Sequence, residues 1–205
     1  MPAASSVPPT PLTQGARRIL DTASMLFYAH GIHAVGVDRI AAEAGVTKKT
    51  LYNRFGSKEA LVIAYLRKRE EQWRAILSEH LERNPEPGID RVLAPFDAAQ
   101  SWYPGRSTKG CSAVNARAEE GPDPTGILVA EEVTEQKQWM TNRFTELCIE
   151  AGLHQAELLG RQLQLLLDGA LVTLGTAAFD SPLLVARDAA RQLLQSANET
   201  RSTEA

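Results

Sequence analysis

The sequence predicts an all-α protein, with a small N-terminal unit of three helices and a larger helical unit after it. Three observations predict this. Apolar residues recur at three- and four-residue steps through most of the chain, which is the spacing of one buried helix face. No segment shows a convincing two-residue alternation of the kind a half-buried strand requires. Clusters of glycine and proline cut the chain into pieces of helix length.

Each element follows from its residues. Pro2, Pro8, Pro9 and Pro11 forbid regular backbone hydrogen bonding, so residues 1–11 read as a flexible arm. From Leu12, one apolar face gathers Ala16, Ile19, Leu20, Ala23, Leu26 and Phe27, and Gly31 ends the helix. Val37, Ile40, Ala41 and Ala44 make a two-turn helix that stops at Gly45. Thr47 is then a natural N-cap for a second short helix with Leu51 and Phe55 inward. Ser57 caps a longer helix carrying Leu61, Tyr65, Leu66, Trp73, Ile76 and Leu77 to about Arg83.

Asn84-Pro85-Glu86-Pro87-Gly88 interrupts the chain. Helical patterns resume over 89–103, 111–120, 126–151, 155–179 and 182–199, separated at Tyr103-Pro104-Gly105, Gly121-Pro122-Asp123-Pro124 and Asp180-Ser181-Pro182. Ser181 before Pro182 predicts a cap followed by proline at the first helical position. There is no internal repeat. The expected organisation is an arm over 1–11, a first domain over 12–58, a connecting helix over 59–83 and a second domain over 84–200.

With 205 residues, 43% hydrophobic and 23% charged, the chain can bury a core of ordinary size. Its richest apolar run, Leu163 to Ala178, is broken by Gln164 and Asp168, and it falls short of the ~20 apolar residues that span a bilayer. The first residues carry no Lys or Arg before Arg17 and no apolar segment, so they do not read as a secretory signal; a cytoplasmic protein with no membrane partner is expected. Two cysteines, Cys111 and Cys148, are too few for a disulfide framework or a thiolate zinc site, and both read as small buried apolar residues. The net charge of −3 hides a division: residues 1–69 hold ten Lys and Arg against four Asp and Glu, and the rest hold twelve against twenty-one. A basic N-terminal unit points to a polyanion.

The two short helices joined at Gly45-Val46 form a helix-turn-helix pattern, with the glycine permitting the reversal. Lys48 and Lys49 stand in the first turn of the second helix, where the macrodipole disfavours cations by roughly 0.3–1 kcal/mol each. Helix stability alone would place Asp or Glu there. Lysines are sensible where that helix end meets phosphates or a guanine edge in a major groove. Thr50, Tyr52, Asn53 and Arg54 follow on the same helix, and Lys58 opens the next. A solvated basic face accounts for the charges but not for their concentration at a helix end.

At these residues the chain resembles the DNA-binding domain of the TetR family of transcriptional regulators. The resemblance runs from Arg17 to Leu61 and rests on ASMLFYAHG at Ala23–Gly31, VDRIAAEAG at Val37–Gly45 and VTKKTLYNRFGSKEAL at Val46–Leu61. The family's recurring elements fall on Phe27 and Gly31, Ile40 and Ala41, and Leu51, Tyr52, Phe55 and Lys58. The resemblance implies that Thr47 to Arg54 is the recognition helix. It further implies that Tyr52 and Lys58 touch phosphates, that Lys48, Lys49 and Thr50 lie nearest the bases, and that Arg39 reaches the DNA backbone. Asn53 completes the DNA-binding set. Gly36 stands where the family has Ser or Thr, so the cap of the second helix is either weaker or supplied by Asp38. Lys49 replaces a frequent glycine and Arg54 a frequent histidine, so base preferences do not transfer from relatives.

The same resemblance makes the remainder, from about Ile89 to Ala197, a regulatory domain that binds a small-molecule effector and dimerises. Within 89–151, Phe96, Trp102, Tyr103, Cys111, Asn115, Trp139 and Phe144 offer the aromatic and polar mixture of a small-molecule cavity, although any helical core contains such residues. Two apolar stripes mark the expected dimer seam, through Leu163, Leu166, Leu167, Ala170 and Leu174 and through Leu183, Ala190 and Leu194; the alternative is that both pack inside the subunit.

Catalysis finds no support: the sequence has no nucleophile elbow, no helix-embedded histidine pair and no phosphate-binding glycine loop, and no catalytic residue, metal ligand or cofactor is expected. Glu119, Glu120 and Asp123 beside Pro122 and Pro124 read as a solvated helix end. The expected function is a homodimeric DNA-binding transcriptional regulator, most often a repressor in that family, released from a palindromic operator by an effector. The alternative is a DNA-binding protein of the same type that answers to no ligand.

Overall fold

A computed structural model describes residues 12–103, 109–119, 126–174, 176 and 178–203, with side chains described to Asn198. Among these residues the protein is helical without strands. The elements are α1 (Gln14–His30), α2 (Val37–Glu43), α3 (Lys48–Phe55), α4 (Lys58–Arg83), α5 (Ile89–Trp102), α6 (Ser112–Glu119), α7 (Ile127–Glu150), α8 (Ala156–Thr173) and α9 (Pro182–Thr203). The expected arm, the breaks around Pro104 and Pro122, and Glu120 and Asp123 lie outside the described residues.

The chain divides into two compact units, one up to Tyr65 and one from Leu66. The division falls inside α4, within the helix over 59–83 that the sequence is expected to use as the connection. The first two turns of that helix supply Leu61, Val62 and Tyr65 to the small core, and Tyr65 meets Phe27 with ring centroids 5.7 Å apart. Ile19, Ala23, Val35, Ile40 and Leu51 complete that core without exposed surface. Thr13 caps α1, its hydroxyl oxygen accepting from the Ala16 N–H at 3.4 Å. Between α2 and α3, Gly45 at φ +64° makes the reversal, and the Val46 N–H donates 2.9 Å to the Ala41 carbonyl.

In the larger unit, Phe96 of α5 and Phe144 of α7 meet at 5.8 Å in a core with Leu93, Leu147, Leu163 and Leu194. A Cβ placed on Gly160 would stand 2.2 Å from Thr145 Oγ1 and 3.0 Å from the Thr145 nitrogen, so glycine is what permits α7 and α8 to approach so closely. Arg187 grips Asp97 with two hydrogen bonds of 2.6 and 3.2 Å, and Arg191 reaches Asp90 at 2.7 Å, tying α9 to α5.

Two expected features differ. Helix α8 ends at Thr173, six residues short of the expected end. Thr173 and Thr176 have poor helix propensity, and they turn their hydroxyls onto the carbonyls of Gly169 (2.7 Å) and Thr173 (2.9 Å). Ser181 precedes α9 in the left-handed region, at φ +54°, instead of the extended conformation usual for an N-cap.

Candidate nucleic-acid interface and the cavity of the larger unit

Helix α3 has a single fully buried residue, Leu51, so most of its surface is available to a partner. Thr47 caps it: the Thr50 N–H donates 3.1 Å to Thr47 Oγ1, and the two hydroxyls lie 2.9 Å apart. Arg39, Thr47, Lys48, Lys49, Tyr52, Asn53 and Arg54 are exposed, while Thr50 and Lys58 are half-buried. All seven α3 positions of the expected set therefore fall on one helix and its cap, with Arg39 on α2 and Lys58 opening α4.

The basic residues are not equivalent. Lys48 Nζ reaches both Asp38 oxygens, at 3.0 and 3.1 Å, and this contact raises its pKa above the ordinary lysine value. Arg39 Nε pairs with Glu43 at 2.8 Å, and its Nη2 lies 3.3 Å from the His30 ring. Lys49 and Arg54 enter no ion pair among the described residues, so their charge is the more available for phosphate. Asp38 does not cap α2, whose start at Gly36 has no side-chain cap; it joins the first turn of α2 to the first turn of α3 through Lys48.

The larger unit holds a cavity of about 70 Å³, counted over positions that the centre of a water molecule can occupy. Trp102, Tyr103 and Cys111 of the expected set line it. Phe96, Asn115, Trp139 and Phe144 do not. Phe96 and Phe144 are consumed by the core, the Asn115 amide donates 2.7 Å to the Lys109 carbonyl, and Trp139 carries the Arg74 guanidinium 4.0 Å above its ring. The rest of the lining includes Glu70, Trp73, Lys137, Gln164 and Asp168, which the sequence reading did not select. A usable signal was present: Gln164 and Asp168, one turn apart, interrupt the otherwise apolar run from Leu163 to Val172.

Charge in the lining is closely paired. Lys137 Nζ donates to Asp168 at 2.5 Å and to Cys111 Sγ at 3.5 Å; burial opposes its charge, but Cys111 and Asp168 outweigh burial and raise its pKa. Glu70 accepts from Arg74 at 2.7 Å, yet burial dominates and raises the pKa of its carboxyl. Cys111 is thus half-exposed in a polar setting and not a buried apolar residue, whereas Cys148 is fully buried and its thiol is pushed up to about 12. No cluster of His, Cys, Asp and Glu suited to a metal occurs among the described residues.

The residues chosen for a dimer seam are placed inward. Leu163, Leu167, Ala170, Leu183, Ala190 and Leu194 are buried in the chain's own core, and Leu166 and Leu174 pack half-buried against it. The area of the six buried residues is already spent within the subunit, while Leu166 and Leu174 keep part of theirs exposed. The exposed apolar row is instead Leu158, Leu165 and Val172 on α8, at seven-residue spacing, with Leu184 and Val185 on α9.

A glycine-jointed helix pair that exposes a capped basic helix defines a helix-turn-helix protein. The family model described as bacterial regulatory proteins, tetR family, matches residues 19–65. SCO4454, a TetR-family transcriptional regulator from Streptomyces coelicolor, is 30% identical over 89% of this chain and 90% of its own, with a TM-score of 0.76. A TetR transcriptional regulator from Legionella pneumophila shares the fold at 18% identity and a TM-score of 0.76, over 90% of this chain and all of its own. The HTH-type transcriptional activator FasR of Mycolicibacterium smegmatis is 45% identical over 51 residues, which are 25% of this chain and 23% of that protein. The regulator SrpR of Pseudomonas putida is 33% identical over 90 residues, 42% of this chain and 39% of its own length. The chain thus spans well under two thirds of these two curated relatives. It belongs to the TetR family, whose members are DNA-binding transcriptional regulators and not enzymes.

Proposed function

We propose that the protein is a homodimeric repressor that holds an inverted-repeat operator with one α3 helix from each copy and releases it when a small molecule enters the cavity of the larger unit. The observation that carries this reading is the exposed, capped α3 helix, with Lys49 and Arg54 free of ion pairs among the described residues and Lys48 tethered to Asp38. The DNA-contact set remains Arg39, Thr47, Lys48, Lys49, Thr50, Tyr52, Asn53, Arg54 and Lys58. The proposed dimer uses the exposed row of α8 and α9, because leucines and valines open to water on a folded subunit offer the area an isologous interface consumes. Release requires the effector to bind the two arrangements of the DNA-binding units unequally, since equal affinity shifts nothing.

The test is selection of duplexes from a random pool by the purified full chain at near-physiological salt. Enrichment of one inverted repeat supports the reading, and its half-sites lead to the regulated promoter, where transcription with and without the protein distinguishes repressor from activator. Binding without any enriched sequence, vanishing as salt rises, overturns it.

A further inference from the structure

The cavity's chemistry specifies what enters it, and this inference rests on the effector reading above. Its ionic lining groups are Arg69, Glu70, Lys137 and Asp168, two cations and two anions. Lys137 is satisfied by Asp168 at 2.5 Å and Glu70 by Arg74 at 2.7 Å, and the Arg69 guanidinium lies 5.4 Å from the centre of the Trp102 ring. The four lining charges sum to zero, so a charged ligand would lose its hydration here against a lining of no net charge.

Two buried polar atoms of the lining residues make no hydrogen bond among the described residues, Arg69 Nε and Gln164 Oε1; the first is a donor and the second an acceptor. Gln164 lines the cavity at 7% exposure, and its Nε2 donates 2.8 Å to Asp168 Oδ2. That bond fixes the amide's orientation, because the reverse would set the amide oxygen against a carboxylate. The other end of the amide, Oε1, has no hydrogen-bond partner among the described residues. A buried acceptor left unmet is costly, and a ligand that donates to it removes the cost.

The remaining walls set the shape. Trp73, Trp102 and Tyr103 contribute flat rings, with Met140 beside them. Free space of about 70 Å³ accommodates roughly five waters, about the bulk of one six-membered ring with a substituent. We propose that the cavity takes a neutral, single-ring aromatic compound bearing one hydroxyl or N–H donor, of the phenol class, with Gln164 Oε1 as the acceptor that selects it.

Four probes test this against the full-length protein at pH 7, read by tryptophan fluorescence and calorimetry: phenol, anisole, benzoate and benzylammonium. Phenol is expected to bind about tenfold more tightly than anisole, the worth of one well-made hydrogen bond, and both charged compounds more weakly than anisole. In Gln164→Met, and separately in Gln164→Leu, the preference for phenol over anisole should vanish while anisole affinity stays within about twofold. Helical content and melting temperature identify a variant that has failed to fold, and the native protein's ranking of the four probes stands without either variant. Equal affinity for phenol and anisole in the native protein overturns the proposal. So does tightest binding of a charged probe, or no phenol binding up to about 10 mM. An enriched operator together with absent phenol binding sinks only this proposal; phenol binding with the expected ranking but no enriched operator sinks only the regulator reading.

Discussion

The two units handle charge in opposite ways. In the first, Lys49 and Arg54 stand in water on a short helix, and Lys49 occupies the helix end where the macrodipole opposes it. In the second, Lys137 pairs with Asp168 at 2.5 Å and the mostly buried Glu70 accepts from Arg74 at 2.7 Å. A surface for a polyanion is useful only if its cations lack internal partners, whereas a cavity holds charge inside a folded core only when partners are supplied. The first arrangement sacrifices a little stability for available charge. The second uses charge to hold walls in place around a space.

That contrast is broken most directly in the core. Phe144 is fully buried against Phe96, so Phe144→Ala should lower stability by about 3–5 kcal/mol in thermal or denaturant unfolding. A loss below about 1 kcal/mol would mean that the larger unit's interior is not packed as described. At the surface of the same unit, Leu165 is 72% exposed, so Leu165→Glu should leave the subunit's melting transition nearly unchanged while analytical ultracentrifugation shows monomers. A dimer of undiminished affinity would move the interface away from α8.

How much of this could be read in the chain follows from how far apart the cooperating residues lie. The proposed interface on α3 occupies near-consecutive positions on one helix, so Thr47 as cap, Leu51 as anchor and the lysines of the first turn were all visible from local spacing. The cavity draws Trp73, Trp102, Lys137 and Gln164 from four helices, and Lys137 and Asp168 are 31 positions apart. No periodicity encodes such a meeting. The aromatic residues of 89–151 carried no label separating wall from core, and Phe96 and Phe144 went to the core. Helix α8 poses a related problem: Leu163 and Leu167 lie on one face and Leu158, Leu165 and Val172 on another, and an apolar helix with two such faces does not announce which one meets its own subunit.

A smaller effect sharpens the contrast from the DNA side. Lys49→Ala should weaken operator binding and reduce the magnitude of the salt slope by about two, one phosphate contact being lost from each copy of the dimer. Its effect on folding should have the opposite sign. Removing a cation from the first turn of α3 and substituting the better helix former stabilises the free protein by about 0.5 kcal/mol at low salt. Weaker DNA binding combined with a lowered melting temperature would show Lys49 to be structural, and the division between available and paired charge would fail there.

The smallest effect belongs to Glu70, where burial and pairing compete. Its side chain is 15% exposed and accepts from Arg74, yet burial outweighs the guanidinium and raises the folded-state pKa above 4.5. The folded protein therefore keeps a proton on Glu70 at pH values where the unfolded chain has released it. The associated stability is fully present below pH 4.5 and is lost as pH rises through the raised value. Glu70→Gln replaces the carboxyl with a group that never ionises and can still accept from Arg74. Relative to the native protein, this variant should gain stability as pH climbs from about 4 toward 7, measured by denaturant unfolding at each pH. A difference that stays flat would show the Arg74 pair to offset the burial completely. A difference that moves against the variant would show the ion pair to dominate, and the cavity wall would then hold its charge because the pair is favourable and not in spite of its burial.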